Sequence, residues 1–236
     1  MFADETTGIA HKVGTGITQP SLQEIKEEVW EELRSQRDFG LIINKIRSRV
    51  HACSFGNLFM SSGFRNRPSQ DGGSNVEMDW AICEVDRDRL GCNTTPCGMY
   101  KCQEISAVTP GALVFSIGRT SGHQYGSVNG TKTRLLLRCK DGHYRKSDEY
   151  SVVQLGRTSN PDSEMYWIRN GIGVPGDSGA WILDQGTNNV IGQLWGRDCK
   201  KVGIDSNRSI ITYFTPIRDI FEDIKDLTGA TQVSLL

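Results

Sequence analysis

Pro175-Gly176-Asp177-Ser178-Gly179-Ala180 places one hydroxyl between two glycines, directly after an aspartate. Pro, Gly, Asp and Ser are turn formers, so the run predicts a tight turn with Ser178 near its tip. The same residues also have a chemical reading. A serine hydroxyl is a weak nucleophile until a base takes its proton, and the oxyanion formed by its attack needs hydrogen-bond donors already in place. In such a turn the backbone N–H groups of Gly176 and Ser178 can converge on one point. Gly176 permits a backbone geometry and a close approach that a side chain would block. Gly179 and Ala180 leave room for the chain to turn back into a strand. Taken alone, the run fits a plain surface turn equally well, so the weight falls on its partners.

Working outward, Met78-Asp79-Trp80-Ala81-Ile82-Cys83-Glu84-Val85 reads as an acidic residue opening a buried strand. A buried carboxylate there would hold a histidine in one tautomer and stabilise its cation; the plainer reading is a turn cap. After the serine, Asn189 to Gly196 forms a short apolar strand ending in Trp-Gly. The four histidines are His11, His51, His123 and His143. The last two follow Asp79 and read as loop residues.

These segments resemble the trypsin-like (chymotrypsin-fold) serine peptidases, and among them divergent, non-secreted members of the kind found in fungi. Four stretches carry the resemblance: Met78 to Val85, Val114 to Gly122 with its Gly118-Arg119-Thr120-Ser121-Gly122 turn, Gly176 to Ala180, and Val190 to Gly196. The resemblance implies an all-β fold, a double six-stranded β-barrel with an incomplete first barrel, an inserted N-terminal helix and a C-terminal helix. One peptidase domain would then cover 1–236, with the first barrel in 1–105, its helical insertion at 21–48, and the second barrel and final helix in 106–236. In the family's chain order the base precedes the aspartate, which leaves His11 and His51. A small residue before His11 and a valine soon after it are similar to the family's histidine segment, whereas His51 lies nearer Asp79. His11 is the favoured base. Only ten residues precede it, so the strands expected ahead of it are missing and the chain reads as N-terminally truncated.

The implied roles follow. Ser178 attacks, His11 relays the proton, Asp79 orients the imidazole, and the N–H groups of Gly176 and Ser178 form the oxyanion hole. Ile172 takes the position of the primary pocket's base, where an apolar side chain would disfavour Lys or Arg. Gln193, Leu194, Trp195 and Gly196 would pair with substrate backbone by strand addition. The implied function is a serine endopeptidase acting on peptide or protein through an acyl-enzyme, with no cofactor and no metal. Two alternatives stand beside it: a catalytically impaired homologue that binds peptides in the same groove, and an unrelated β-rich interaction domain.

Composition is consistent with one β-rich unit. Net charge is −1 over 236 residues, which gives no overall field for nucleic acid. No apolar run approaches the ~18 residues of a membrane helix, and the N-terminus lacks the basic-then-apolar layout of a signal peptide. A cytoplasmic location is therefore expected. There are seven cysteines. The spacing of Cys92, Cys97 and Cys102 is unlike the paired C-x-x-C of a zinc site. Mostly reduced thiols are expected, with a disulfide among those three left open and Cys83 a small core residue. A capping-box pattern at Ser21 to Glu24 precedes Leu22, Ile25, Val29 and Leu33 at helical spacing. Ile42 to Ile46 continues as a short helix. From residue 55 short apolar runs predict strands punctuated by Gly, Pro, Asn and Asp. Arg65 to Asn75 is polar and glycine-rich and reads as a loop. Thr215 is placed as the N-cap and Pro216 as the first residue of a final helix, whose apolar stripe is Ile217, Ile220, Phe221, Ile224 and Leu227.

Overall fold

The apolar runs between Leu113 and Pro216 fold into strands that close on themselves. The structure, a computed structural model, describes residues 16–18, 25–29, 39–52, 54–72, 74–95, 98–102, 104–139, 142–153, 171–198 and 211–235. Strands β6 (Leu113–Gly118), β7 (Gly122–Val128), β8 (Thr133–Arg138), β9 (Tyr144–Val153), β10 (Trp181–Asp184), β11 (Val190–Arg197) and β12 (Ile211–Pro216) form one sheet. Around it the order β6-β7-β9-β12-β11-β10 returns to β6, each neighbour antiparallel to the next. This is a closed six-stranded barrel, an arrangement that leaves no edge within the ring. β8 lies outside the ring as a hairpin on β9. Val114, Val152, Ile182, Ile191, Leu194 and Phe214 are all buried in its core.

A helix follows at once, α2 (Ile217–Thr228), closed by Gly229 in the left-handed conformation with its N–H on the Lys225 carbonyl. Ile217, Ile220 and Phe221 face inward as the apolar stripe predicts. The cap differs from expectation. Thr215 is the buried penultimate residue of β12, and its hydroxyl donates to the Glu77 carbonyl at 2.7 Å rather than to the helix start.

Two buried acids on α2 reshape another expectation. Arg65 to Asn75, read as a loop, carries a β-hairpin of β3 (Arg65–Pro68) and β4 (Asn75–Met78). The Arg65 and Arg67 guanidinium groups donate to Asp223 Oδ1 at 2.5 and 3.1 Å, and the Trp80 indole N–H donates to Oδ2 at 2.8 Å. Asp219 accepts the Gln70 N–H at 2.6 Å and the Ser69 hydroxyl at 3.0 Å. The polar composition of the segment is thus spent on buried pairing, which a sequence count of charges cannot distinguish from a solvated loop.

By packing, the chain divides into two compact units. One takes in 62–80 and the described residues from 92 onward, and the other the described residues from 16 to 61 together with 81–91. The second unit holds a three-stranded antiparallel sheet in the order β1 (Gly16–Thr18), β2 (Ser54–Ser61), β5 (Ala81–Val85). Its helix α1 (Phe39–Ala52) is longer than the short helix expected at Ile42 to Ile46. Residues 25–29 are helical as expected, with Ile25 and Val29 buried against Ile42, Ile46 and Val50. β5 is half-buried rather than buried, and Cys83 with it. The fold class is all-β with a final helix, as the sequence implies.

Candidate active site

The serine turn is built around the buried side chain that precedes the hydroxyl. Asp177 is 2% exposed. Its Oδ1 accepts the N–H of Thr120 at 2.7 Å and of Ser121 at 3.3 Å, and its Oδ2 accepts the N–H of Val174 at 3.0 Å. The carboxylate therefore staples the serine turn to the turn between β6 and β7. Gly118, where β6 ends, is required by this contact, because a Cβ there would overlap the Asp177 carboxyl. The two glycine-rich motifs seen separately in the sequence thus form one construction.

Gly176 has φ 101°, and a Cβ on it would lie 2.5 Å from Thr120 Oγ1. Both backbone strain and contact exclude a side chain. Gly176→Ala is expected to cost about 2 kcal/mol of stability, seen as a lower urea midpoint with an unchanged slope.

The N–H groups of the turn divide into two sets. Those of Asp177, Gly179 and Ala180 donate to the carbonyls of Val174, Leu194 and Asp177 at 2.9, 2.8 and 3.0 Å. Those of Gly176 and Ser178 donate to no group among the described residues. The two donors proposed for an oxyanion are the two that the turn leaves unused. Ser178 itself is exposed.

The remaining site residues are placed as follows. Asp79 lies between β4 and β5, at an exposed position rather than the buried one expected. Protein packed around its carboxyl raises its pKa above the ordinary carboxylate value. His11 is outside the described residues. His51 is the penultimate residue of α1. His123, read as a loop residue, belongs to β7 and stacks on Tyr125 with ring centroids 4.6 Å apart, beside Phe115 and Tyr100. Ile172 is 1% exposed and belongs to the barrel core, and so does Leu194. Gln193 is paired on both flanks, with Trp181 on β10 and Thr215 on β12. β10 begins at Trp181, so among the described residues Gly196 and Arg197 run on paired with β12 alone, beyond a register shift at Trp195. Of the four residues expected to pair with a substrate strand, Trp195 and Gly196 have no strand on that flank among the described residues. Leu194 is already held by Gly179 and Ala180.

A buried acidic pair joins β4 to β9, unnoticed in the sequence. Glu77 on β4 is bound by both arms of Arg145 on β9, at 2.8 and 2.9 Å. Its backbone N–H donates to Glu149 Oε1 at 2.8 Å. Glu149 is fully buried, and its carboxyl is raised to about 7, first by burial and further by the charge of Glu77. The inward alternation of Ser147, Glu149 and Ser151 along β9 was the signal available in the sequence.

Cys83, Cys92, Cys102 and Cys139 are free thiols. Among the described residues no three His, Cys, Asp or Glu side chains are grouped to hold a metal ion, and no helix is long and apolar enough to cross a membrane.

No protein-family model matches the chain, and no curated protein is significantly similar to it. The similar solved structures are serine proteases. The Cellulomonas bogoriensis chymotrypsin is 15% identical, with a TM-score of 0.41 over 78% of this chain and 82% of that one. Thermobifida fusca Protease A is 18% identical, with a TM-score of 0.40 over 78% of this chain and 81% of that one. A glutamic acid specific serine protease is 11% identical, with a TM-score of 0.40 over 73% and 85%. Similarities this slight carry no weight for chemistry. The fold rests on the closed strand ring and its helix.

Proposed function

We propose that this protein is a serine endopeptidase of trypsin-like type, a single catalytic domain that hydrolyses peptide bonds through an acyl-enzyme. Ser178 attacks the scissile carbonyl. His11 accepts its proton and returns it to the leaving amine, with His51 as the alternative base. Asp79 orients and stabilises that imidazole. Gly176 and Ser178 hold the oxyanion through their N–H groups, and the substrate main chain pairs along Trp195 and Gly196. The reading is supported above all by the serine turn, where a buried aspartate fixes the loop and those two N–H groups have no acceptor among the described residues.

A fluorophosphonate probe tests it, because such probes phosphorylate an activated serine. The wild type is expected to label and Ser178→Ala to remain unlabelled. Absence of label on the folded wild type sinks the endopeptidase and leaves peptide binding at the same edge. The His11→Ala and His51→Ala variants then identify the base, since loss of a triad's base costs on the order of 10⁴-fold or more in rate.

A further inference from the structure

The turn between β3 and β4 holds one buried hydroxyl between two carboxylates. Ser69 Oγ lies 2.5 Å from Asp71 Oδ1 and 3.0 Å from Asp219 Oδ2. A serine hydroxyl has one proton to donate. With both acids ionised they compete for it, and one contact sets a carboxylate oxygen against a hydroxyl lone pair. Completing both bonds takes a second proton, and the surroundings decide which acid carries it. Asp71 is exposed, its Oδ2 accepts the Tyr150 hydroxyl at 2.7 Å, and the Lys132 ammonium pairs with the same oxygen at 2.6 Å. Burial works against its charge, but Lys132, Ser69 and Tyr150 together hold its carboxyl down at about 2. Asp219, in the first turn of α2, is 1% exposed. Its partners among the described residues are Ser69 and the Gln70 N–H, which donates to Oδ1 at 2.6 Å, and neither is a cation. Burial raises its carboxyl above the ordinary range.

We propose that Asp219 is carried as the neutral acid and donates its proton to Ser69 Oγ, so that Asp219, Ser69 and Asp71 form one directed chain that latches the β3–β4 turn to α2 and weakens when Asp219 ionises. With the proton on Oδ2, Oδ1 is the carbonyl oxygen and still accepts the Gln70 N–H. The Ser69 proton then goes to Asp71 alone, and every donor in the chain has one acceptor. A cavity of about 190 Å3, lined by Gln70, Asp71, Tyr150 and Asp219 among others, joins these groups to solvent, which takes the Asp219 proton as pH rises. Both carboxylates then face one hydroxyl, and the buried one carries a charge with no cation paired to it. The charged groups nearby are accounted for element by element. Lys132, between β7 and β8, pairs with Asp71 and lies over the Tyr150 ring of β9. On α2, Asp223 is bound by Arg65 and Arg67 of β3, and Glu222 by Lys225, while Arg218 lines the same cavity. The latch is complete from above about pH 2, where Asp71 is ionised, up to the raised value of Asp219. It stands apart from the peptidase reading.

The test follows the carboxyl carbon of Asp219 by NMR, its resonance assigned by its loss in Asp219→Asn. In the folded wild type it is expected to titrate at a higher pH than in the urea-unfolded chain; a midpoint at or below the unfolded one overturns the proposal. Ser69→Ala separates the direction of the bond from the effect of burial. If the acid donates, loss of the hydroxyl removes the acceptor of its proton and the Asp219 midpoint falls. A midpoint that rises means that Ser69 donates to the carboxylate, and an unchanged one that the two do not interact; either overturns the proposal. The latch itself is read from stability. Asparagine can donate to Ser69 and accept from Gln70 at every pH, so the urea midpoint of Asp219→Asn should gain on that of the wild type as pH rises through the Asp219 titration. A constant difference shows that no latch is released.

Discussion

Asp177→Ala is expected to lower the stability of the fold by about 4 kcal/mol, read from its urea midpoint. The side chain accepts three backbone N–H groups from two loops. Hydrogen bonds to a charged acceptor contribute about 1.5–3 kcal/mol each, and alanine removes all three at once. The bond from Ser121, at 3.3 Å, is the weakest, and solvent at the exposed tip can satisfy part of what is lost. The net cost therefore falls below the sum of three bonds. Single domains have about 5–15 kcal/mol in hand, so this one substitution removes a large share. Asp177→Asn should fall between alanine and wild type, since its one carbonyl oxygen serves one loop while its amide faces a donor on the other. Labelling of Ser178 should slow in both variants while they remain folded, because the turn that aims the Gly176 and Ser178 amides has lost its anchor. A midpoint unchanged by alanine would falsify the view that this carboxylate assembles the turn.

Glu149→Gln is expected to stabilise the protein by about 3 kcal/mol at pH 8 and to be nearly neutral at pH 4. The sign follows from proton binding. Burial lifts the Glu149 carboxyl from 4.5 to about 7 in the folded state. Between those values the folded chain holds a proton that the unfolded chain has released. The stability present below pH 4.5 therefore drains away as pH rises toward 7 and stays lost above it. Glutamine carries no charge at any pH. Its carbonyl can accept the Glu77 N–H and its amide can donate to Ser147, so it keeps the favourable contacts of the neutral acid. Other carboxyls also shift: burial raises Glu77, Asp79 and Asp219, and contacts with Lys132, Ser69 and Tyr150 hold Asp71 down at about 2 despite its burial. Comparing variant and wild type at each pH isolates Glu149 from this background. A difference that fails to grow between pH 4 and pH 8 would show that the carboxyl titrates normally.

The barrel was legible in the sequence where burial follows a simple pattern. β5 and β8 have the bounds of the apolar runs Ala81 to Val85 and Thr133 to Arg138, β6, β10 and β11 differ by a residue or two from the runs Leu113 to Ile117, Ala180 to Leu183 and Val190 to Trp195, and β12 goes on to Pro216 where the run from Ser209 ends at Tyr213. β7 was missed because Gly122-His123-Gln124-Tyr125-Gly126-Ser127-Val128 has two glycines and little apolar content. It is a strand because pairing with β6 and β9, and the aromatic packing of His123, outweigh its weak propensity. The β3–β4 hairpin was missed for the opposite reason, its charges having been taken for solvated ones. At the candidate site, the glycines and the serine announced a turn, and the chain does turn there. The anchor of the turn was out of view, because the hydrogen bonds of Asp177 reach Thr120 and Ser121, which only folding brings close. Ile172 was assigned to a pocket from its place in the motif. Its side chain instead fills the barrel, since a position counted along a loop does not say which way the loop turns.

Asp79 is followed by Trp80, whose indole hangs from Asp223 on the final helix, as do the two arginines of the preceding hairpin. The final helix thus ties down the residue next to Asp79 and the hairpin that leads to it. A stop codon or a protease cut ahead of residue 217 would spare Ser178 and Asp79 and still strip Trp80, Arg65 and Arg67 of the carboxylate they share.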